Sequence, residues 1–273
     1  MIEQINEVVS YLQDHGVIAP EAGIVLGTGL SALALEISVE QVLDYNSIPG
    51  FVLSTVESHS GKLIYGELAG KKVVALNGRF HFYEGYSMQE VTFPIRVLKQ
   101  LGIKYLLLSN ASGGLNKKFH KGELMLITDH INLLPSNPLI GKNDDRLGTR
   151  FPDMSQPYHH GLNKWIENAA GALQIPLHKG TYAAVAGPNL ETRTEYRFSK
   201  IIGADVVGMS TVPEVIVANH MNLPCAAISV ITDECDPDNL HPVSIEEIIE
   251  TAKIAEVDLT RLFKKVIADF ETI

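Results

Sequence analysis

Short apolar runs alternate with amphipathic segments along this chain, and several of the runs end in glycine or small polar residues. Residues 2–15 place apolar side chains at helical spacing and predict an amphipathic helix. Buried strands are predicted at residues 23–26, 105–109, 124–127, 182–186, 205–210 and 226–231. Strands that alternate with helices, each ending in a polar cluster, predict a wound α/β sheet with a site at its carboxyl edge.

Two neighbouring segments, residues 61–68 and 72–77, are rich in strand-forming residues and are separated by Ala69 and Gly70. This pattern predicts a β-hairpin, and an antiparallel pair inside an α/β chain implies a mixed sheet. A long irregular stretch rich in Pro, Asn and Gly extends to Tyr158, and loops of this length are usually functional or form an interface. The fold class is therefore α/β, with a mixed sheet surrounded by helices.

Composition narrows the possible functions. The chain has 273 residues, 45% of them hydrophobic, and is long enough to bury one large core, so residues 1–273 are interpreted as a single domain. A formal net charge of −10 argues against nucleic acid and anionic membranes as partners, because both require a basic surface. Two cysteines, Cys225 and Cys235, suit a reducing compartment, and we expect a cytoplasmic protein.

The densest group of candidate chemical residues lies between Val185 and His220. Glu191 follows the turn signal Gly187-Pro188-Asn189, at the mouth of a loop that leaves a strand. Ser210 and Thr211 precede a helix with Pro in its first turn, and the free N–H groups of a helix N-terminus favour an anion. The alternative is that Glu191 is a solvated loop residue and that the two hydroxyls only cap a helix.

A second candidate group is the segment GRFHFYEGY, which begins at Gly78 and interleaves cationic and aromatic residues. Arg79 offers a planar fork for phosphate, His81 a donor or an acid, and Tyr83 an amphipathic ring suited to a sugar. The alternative is that Arg79 pairs with Glu84 and that His81 is an ordinary surface histidine.

The turn GTGLSA, which begins at Gly27, has the spacing of a dinucleotide-binding turn, and Asp44 lies near the position of a ribose-binding acid. The same turn serves equally well as a cradle for one phosphate, through backbone N–H groups and the Thr28 hydroxyl.

Nine segments, taken in order, resemble the trimeric purine nucleoside phosphorylases over nearly the whole chain. They are GTGL at Gly27, ESHSGKL at Glu57, GRFHFYEGY at Gly78, VTFPIRV at Val91, SNASGGLN at Ser109, DHINL at Asp129, AGPNLETRTE at Ala186, GADVVGMSTVPEV at Gly203 and ITD at Ile231. The resemblance implies a single phosphorylase/hydrolase-like domain with a distorted mixed sheet. It also implies cleavage of purine nucleosides by phosphate, a homotrimer, and no metal or organic cofactor.

The resemblance also implies a role for each matching residue. Phosphate would be held by Thr28, His59, Arg79, His81, the Ala111 backbone and Ser210, with His59 gating the pocket from a mobile loop. The nucleoside would contact Tyr83, Phe151, Leu190, Glu191, Val207, Met209, Asp233 and Ile245, with Phe151 closing the site of a neighbouring subunit. His81, Glu191 and Asp233 would be the catalytic residues.

The sequence departs from the family pattern at four points. Thr28 replaces a frequent Ser and keeps the hydroxyl, and Leu190 replaces an aromatic residue that often stacks on the base. Asp233 replaces the Asn typical of members specific for 6-oxopurines: an ionised Asp233 accepts from an adenine amino group, whereas a protonated one donates as Asn does. The loop 234–242 also differs, so that Ile245 aligns near the histidine that contacts the sugar 5′-hydroxyl, with His241 as a nearby candidate.

Four other functions compete with a purine nucleoside phosphorylase. An NAD-dependent dehydrogenase would need a second mononucleotide-binding half after the Gly27 turn, and the sequence shows none. A purine-binding module without catalysis has no use for Arg79, His81 and Ser210 together. A nucleoside hydrolase would act without phosphate. A methylthioadenosine phosphorylase is favoured by Asp233 and Ile245, whereas Glu191 favours ordinary 6-oxopurine nucleosides, whose N1–H it can accept.

Overall fold

The computed structural model describes residues 1–28, 30–55 and 60–269. Within these ranges the strands are β1 (Ala22–Leu26), β2 (Ser38–Asp44), β3 (Lys62–Leu68), β4 (Lys71–Asn77), β5 (Tyr105–Gly114), β6 (Leu124–Asn132), β7 (Leu177–Ala184), β8 (Val206–Gly208) and β9 (Cys225–Glu234). The helices are α1 (Ile2–Asp14), α2 (Ala32–Leu35), α3 (Met88–Leu101), α4 (His160–Leu173), α5 (Arg193–Ile201), α6 (Val212–His220) and α7 (Ile245–Ala268).

All of these strands belong to one mixed sheet with the order β2-β3-β4-β1-β5-β8-β7-β6-β9. Strand β3 is antiparallel to its neighbours β2 and β4, whereas β1 lies parallel to both β4 and β5. Strand β5 pairs with β9 as well as with β8, so the last five strands close into a ring. The sheet is therefore open at the β2 end and closed like a small barrel at the other.

Alternation along the strands divides the core between the two faces of the sheet. Val25, Leu106 and Leu108 face a cluster formed with α1, α3 and α6, whereas their neighbours Ile24 and Leu107 face a cluster formed with α2, α4 and α7. Because both faces are covered, β1 and the first half of β5 are continuous apolar runs, as the sequence pattern predicted. The α/β fold with helices around a mixed sheet is confirmed.

Local sequence signals account for most helix ends. The Ser87 hydroxyl accepts from the backbone of Glu90, whose carboxylate returns to Ser87, and Gly102 ends α3 in a left-handed conformation. Thr192 and Glu195 form the same reciprocal cap at α5. These caps fix the start of α3, which follows the candidate segment at Gly78, and the start of α5, which follows Glu191.

The hairpin of β3 and β4 is confirmed, but several strand boundaries were predicted wrongly. Strand β7 begins at Leu177 rather than at Tyr182, and β6 continues to Asn132 rather than ending at Ile127. Strand β5 was predicted to end at Ser109, and instead residues 110–114 continue it. Its glycines are retained in the strand because β5 has neighbours on both sides there: Gly113 is opposite Val207 of β8 and Asp233 of β9.

The dinucleotide-binding alternative for the Gly27 turn is not supported by the fold. The helix that follows β1 has only four residues, and the chain then enters the exposed strand β2, where Asp44 is solvent-exposed. A dinucleotide-binding half needs a full helix with its N-terminus at the pyrophosphate. In the described part of the chain, moreover, none of the helices combines the length and the apolar character needed to cross a bilayer.

Candidate active site

One cavity of about 280 Å³ lies where β1, β4, β8 and β9 end and α7 begins. It gathers the predicted site residues from segments far apart in the chain. Those that line it are Thr28, Arg79, His81, Tyr83, Ala111, Leu190, Glu191, Val207, Met209, Ser210, Asp233 and Ile245. Of the other two, His59 lies outside the described residues, and Phe151 is a surface residue away from the cavity. Their roles stay predictions.

Arg79 lies at the centre of a buried polar group, here called the Arg79 cluster, which also contains Asn110, Ser210, Thr211 and Glu214. Its Nη1 donates to Ser210 Oγ at 3.0 Å and to Thr211 Oγ1 at 3.2 Å, and its Nη2 lies 3.2 Å from Glu214 Oε2. Asn110 Nδ2 donates to Thr211 Oγ1 at 2.9 Å. The alternative in which Arg79 pairs with Glu84 is thus wrong. The guanidinium is instead fixed by residues at and just before the start of α6.

A strained turn holds the two hydroxyls of the Arg79 cluster. Thr211 has φ 67° and ψ −52°, and Val212 N donates to Ser210 O at 2.7 Å. This is a three-residue γ-turn with positive φ, a conformation that is rare for a β-branched residue and needs surrounding support. The support comes from Arg79 and Asn110, which both bind the Thr211 hydroxyl. As a result Thr211 is buried within the cluster, whereas Ser210 reaches the cavity.

His81 is a buried residue at the wall of the cavity, where it contacts Glu84 and Tyr83. Its Nδ1 lies 3.2 Å from Glu84 Oε1, which also accepts from the His81 backbone N–H at 2.7 Å, and its ring stacks on Tyr83 with centroids 4.7 Å apart. Burial lowers the pKa of His81, opposed by Glu84 and reinforced by Arg79. His81 is therefore not an ordinary surface histidine, and the lowered pKa favours its neutral ring.

The opposite wall contains a second group, here called the carboxylate cluster, made of Glu191, Tyr196, Asp233 and Cys235. Asp233 Oδ1 accepts from Thr232 Oγ1 at 2.9 Å, and Asp233 Oδ2 accepts from Cys235 Sγ at 2.9 Å. Tyr196 forms hydrogen bonds with both Glu191 and Cys235. Burial raises the pKa of Glu191, and the nearby Asp233 and Glu195 raise it further. Glu191 is therefore not a solvated loop residue.

The register of β5 explains how the carboxylate cluster reaches the cavity. A Cβ atom on Gly113 would lie 2.5 Å from Cys235 Sγ and 3.2 Å from Asp233 Oδ2. Only glycine leaves room there. The side chains of Asp233 and Cys235, at the end of β9, therefore pack against β5 where the ring of strands closes.

Comparison with known proteins agrees with this geometry. A family model described as "Phosphorylase superfamily" matches residues 21–268. Purine nucleoside phosphorylase 1 of Bacillus subtilis is 46% identical over 99% of this chain and 100% of its own length. The chain belongs to the purine nucleoside phosphorylase family, within the phosphorylase superfamily.

Solved structures of this family share the fold. A Schistosoma mansoni purine nucleoside phosphorylase in complex with adenosine has a TM-score of 0.93 and 38% identity, over 100% of this chain and 99% of that one. A schistosoma purine nucleoside phosphorylase in complex with hypoxanthine has the same TM-score of 0.93 and 38% identity, over 99% and 98% of the two chains. The recognition of the family from nine sequence segments is confirmed.

The region that departs from the family pattern has an apolar wall. Ile245 and Ile248, one helical turn apart at the start of α7, both line the cavity. His241, the candidate for the sugar 5′-hydroxyl, does not line it and belongs to a neighbouring cavity. At this wall, therefore, the structure offers methyl groups where the family pattern has a histidine.

Several residues at the site were not predicted. Asn110 and Ser112 lie inside the recognised segment SNASGGLN, and Ile248 follows Ile245 at helical spacing, so a signal for these was present. Glu214 also lies inside a recognised segment, GADVVGMSTVPEV, although it was assigned no role. Tyr196 and Cys235 gave no such signal, because their importance depends on contacts near Asp233 that only the folded chain forms.

Proposed function

We propose that this protein cleaves purine nucleosides with inorganic phosphate, releasing the free base and ribose 1-phosphate. The observation that carries the proposal is the presence of the Arg79 cluster and the carboxylate cluster on the walls of one cavity, in a chain of the purine nucleoside phosphorylase family. The Arg79 cluster offers a guanidinium and hydroxyl groups that can donate to an anion. The carboxylate cluster offers polar groups that can form hydrogen bonds with the edge of a purine.

Phosphate binding is assigned to Thr28, Arg79, His81, the Ala111 backbone and Ser210. Glu214 lies beside Arg79, but burial raises the pKa of Glu214, against the opposing effect of Arg79, and so disfavours the carboxylate that would offset the guanidinium charge. Arg79 therefore supplies the main charged donor, and the hydroxyl groups of Thr28 and Ser210 supply further donors. If Nδ1 of the neutral His81 donates to Glu84, its other ring nitrogen can accept a hydrogen bond from a protonated phosphate oxygen. His59 is assigned to the same pocket on the family resemblance alone.

The reaction is displacement at the anomeric carbon of the ribose through an oxocarbenium-like transition state. Phosphate on one face of the sugar stabilises the developing positive charge and forms the new C–O bond as the C–N bond to the purine breaks. A hydrogen bond that a protonated Asp233 donates to N7 or O6 of the departing purine stabilises the electrons that the base takes from the sugar, while Glu191 positions the base at N1. Tyr83, Val207, Met209 and Leu190 supply the apolar contacts. Arg79 and the hydroxyl groups stabilise the phosphate, so we propose that no metal or organic cofactor takes part.

We propose that 6-oxopurine nucleosides are preferred and that adenosine is also cleaved. An ionised Glu191 accepts the N1–H of hypoxanthine or guanine, and a protonated Glu191 donates to N1 of adenine. Asp233 can accept from the adenine amino group. The related schistosomal proteins with adenosine and with hypoxanthine show that both classes of base fit this fold.

A second candidate activity is the phosphorolysis of 5′-methylthioadenosine. It is favoured by one observation, the methyl groups of Ile245 and Ile248 in the cavity together with the exclusion of His241. An apolar wall suits a thioether better than a hydroxyl group.

One assay tests these assignments together. Inosine, guanosine, adenosine and 5′-methylthioadenosine are incubated with the protein, each with and without phosphate, and the sugar product is identified. We expect inosine cleavage that requires phosphate and yields ribose 1-phosphate. Cleavage without phosphate would indicate a hydrolase, and binding without cleavage would indicate a purine-binding module.

We further propose a homotrimer in which Phe151 closes the site of the neighbouring subunit. The support is the family resemblance and the surface position of this aromatic ring, which is 86% exposed and has the Arg150 guanidinium 5.7 Å from its centroid. Cys225 and Cys235 are both buried free thiols, which supports a location in the cytoplasm.

A further inference from the structure

A second cavity of about 680 Å³ adjoins the active-site cavity and shares part of its wall. The shared residues are Leu190, Glu191, Tyr196 and Asp233. This outer cavity, as we name it, is otherwise bounded by the loop 234–243, the start of α5 and the first turn of α7. Because the carboxylate cluster provides three of the shared residues, the two cavities meet at the place assigned to the edge of the purine.

The loop that forms the outer wall is fixed by specific contacts. Arg193 Nη1 donates to Pro237 O at 3.1 Å, and its Nη2 donates to Leu240 O at 3.3 Å. Arg197 Nη2 lies 2.8 Å from Asp238 Oδ1, and Lys117 Nζ lies 3.3 Å from Asp236 Oδ2. Two turns of α5 and a residue beyond β5 thus hold the loop away from Asp233, which keeps the outer cavity open.

The chemistry of purine indicates which part of a ligand would enter. In a purine the substituent on C6 lies between N1 and N7. Under the proposed function Glu191 faces N1 and Asp233 faces the C6 substituent, and these two residues line both cavities. A group attached at C6 therefore leaves the base pocket between the two carboxyl groups.

We propose that the outer cavity is a subsite for substituents on C6 of a purine, so that the protein binds N6-substituted adenines and their nucleosides. The proposal rests on the proposed function for the placement of the base. It assigns a ligand class, purines with an extended 6-amino substituent, to a surface that the phosphorolysis of inosine does not use.

The charges around the outer cavity predict which substituents it favours. Its walls include the carboxyl groups of Glu234, Asp236 and Glu247, in addition to Glu191 and Asp233. The basic side chains at its walls are those of Lys121, Arg193 and His241, and Arg193 already donates to the loop carbonyls. Two of the carboxyl groups have basic neighbours beyond the wall, Asp236 with Lys117 and Glu234 with His120. At the wall itself carboxyl groups still outnumber basic side chains, so a cationic substituent is favoured over an anionic one of equal length.

The first test measures competitive inhibition of inosine phosphorolysis by free bases, so that it does not require the substituted compounds to be cleaved. Inosine cleavage itself reports on the proposed function. We expect N6-benzyladenine to inhibit at least as strongly as adenine, and N6-(4-aminobutyl)adenine to bind about threefold more tightly than N6-(3-carboxypropyl)adenine. If inosine is cleaved but N6-benzyladenine inhibits less strongly than adenine, the subsite is wrong while the proposed function stands.

The second test places a charged side chain in the outer cavity to show where the substituent binds. Asn239 is exposed and lines the outer cavity only, and Asn168 on α4 is an exposed asparagine that lines neither cavity. We expect Asn239→Lys to weaken the aminobutyl compound and strengthen the carboxypropyl compound, reversing their order, with inosine cleavage unchanged. Asn168→Lys should leave the order as it is. An unchanged order in Asn239→Lys would overturn the assignment.

Discussion

Arg79 is the residue on which the proposed phosphate site depends most. It is a buried cation bound to two hydroxyl groups and one buried carboxylate, and it also reaches the active-site cavity. A buried ion pair of this kind contributes little net stability, but removing one partner leaves the other uncompensated. Changes at Arg79 must therefore be judged by phosphate kinetics as well as by stability.

Arg79→Ala is expected to lower kcat/KM for phosphate by an amount corresponding to about 2–4 kcal/mol, because it removes a charged donor aimed at the anion. The measurement is the phosphate dependence of inosine cleavage. Arg96→Ala is the matched control, since Arg96 is also a buried arginine but binds His220 away from the cavity. Unchanged phosphate kinetics in Arg79→Ala would contradict the assignment of Arg79 to the phosphate site. A loss of stability in both variants would not contradict it.

Asp233→Asn is expected to lower adenosine cleavage and to leave inosine cleavage equal or better. The carboxyl group can accept from the adenine amino group, whereas an amide can donate to the oxygen or N7 of a 6-oxopurine. The ratio of kcat/KM for the two nucleosides is the measurement. Asp238→Asn, at an exposed position that lines neither cavity, is the control. Loss of inosine cleavage with unchanged adenosine cleavage would mean that Asp233 is placed wrongly.

Under its proposed role, Glu191 is expected to make the choice of base depend on pH. Burial raises its pKa above the ordinary value of 4.5 for a glutamate. Below the raised pKa the protonated side chain donates to N1 of adenine, and above it the carboxylate accepts N1–H of hypoxanthine. The preference for inosine over adenosine should therefore increase by about tenfold as pH rises through that pKa, the effect of one hydrogen bond to a charged group. Glu191→Gln should show a ratio that is nearly flat with pH, and a slope equal to that of the unmodified protein would refute the role.

At the scale of elements, sequence patterns indicated every described strand except β2, did not predict α3 and α5, and misplaced strand ends where the apolar pattern stops. Residues 110–114 of β5 are Asn, Ala, Ser, Gly and Gly, a composition typical of a loop. They remain in the sheet because β8 and β9 pair with them on both sides, a tertiary effect that no local pattern encodes. The same crowding brings Cys235 against Gly113, a contact the sequence could not indicate.

The turn after β1 is expected to be intolerant of a side chain. A Cβ atom on Gly27 would lie 2.8 Å from Ser109 O and 2.9 Å from the Asn110 Cα, both backbone atoms of β5 that cannot move aside singly. Gly27→Ala should therefore destabilise the protein by about 1–3 kcal/mol and raise KM for phosphate, because it displaces the Thr28 hydroxyl. The measurements are denaturant unfolding and phosphate kinetics.

Gly171 is the matched control for this substitution. It lies inside α4, and a Cβ atom there would have no neighbour within 4 Å. Gly171→Ala should stabilise the protein by about 0.5–1 kcal/mol without changing phosphate kinetics, because alanine favours the helix. If both variants behaved alike, close packing of the Gly27 turn against β5 would not be the cause.

At the scale of the whole molecule, the site depends on contacts between distant parts of the chain. Arg79 and Thr211 are 132 positions apart, and Asn110 and Ser229 are 119 apart, yet both pairs are hydrogen-bonded. Local sequence reasoning found the chemically suitable residues, and only the order of nine segments indicated that they converge. The outer cavity had no such signal and emerged only from the fold.

Phe151 tests whether the active site is complete within one chain. Its ring is 86% exposed and contributes nothing to the cavity of its own chain. If it closes a neighbouring site in a homotrimer, light scattering should give a mass three times the 29.9 kDa of one chain. Phe151→Ala should keep that mass and lose about tenfold in kcat/KM for the nucleoside, since one buried aromatic contact is removed. Ile254→Ala, at another exposed apolar residue, should retain activity.

Mixed trimers decide whether Phe151 acts in the neighbouring subunit. An Arg79→Ala subunit lacks its own phosphate site but carries Phe151, and a Phe151→Ala subunit has an intact phosphate site. When the two are unfolded together and refolded as mixed trimers, some intact sites receive Phe151 from an Arg79→Ala neighbour. We expect the mixture to be more active than the sum of the two parent trimers, by up to severalfold, because each such site regains the buried aromatic contact. Activity equal to that sum would show that Phe151 acts within its own chain or not at all, and a monomer with full activity would refute the assembly itself.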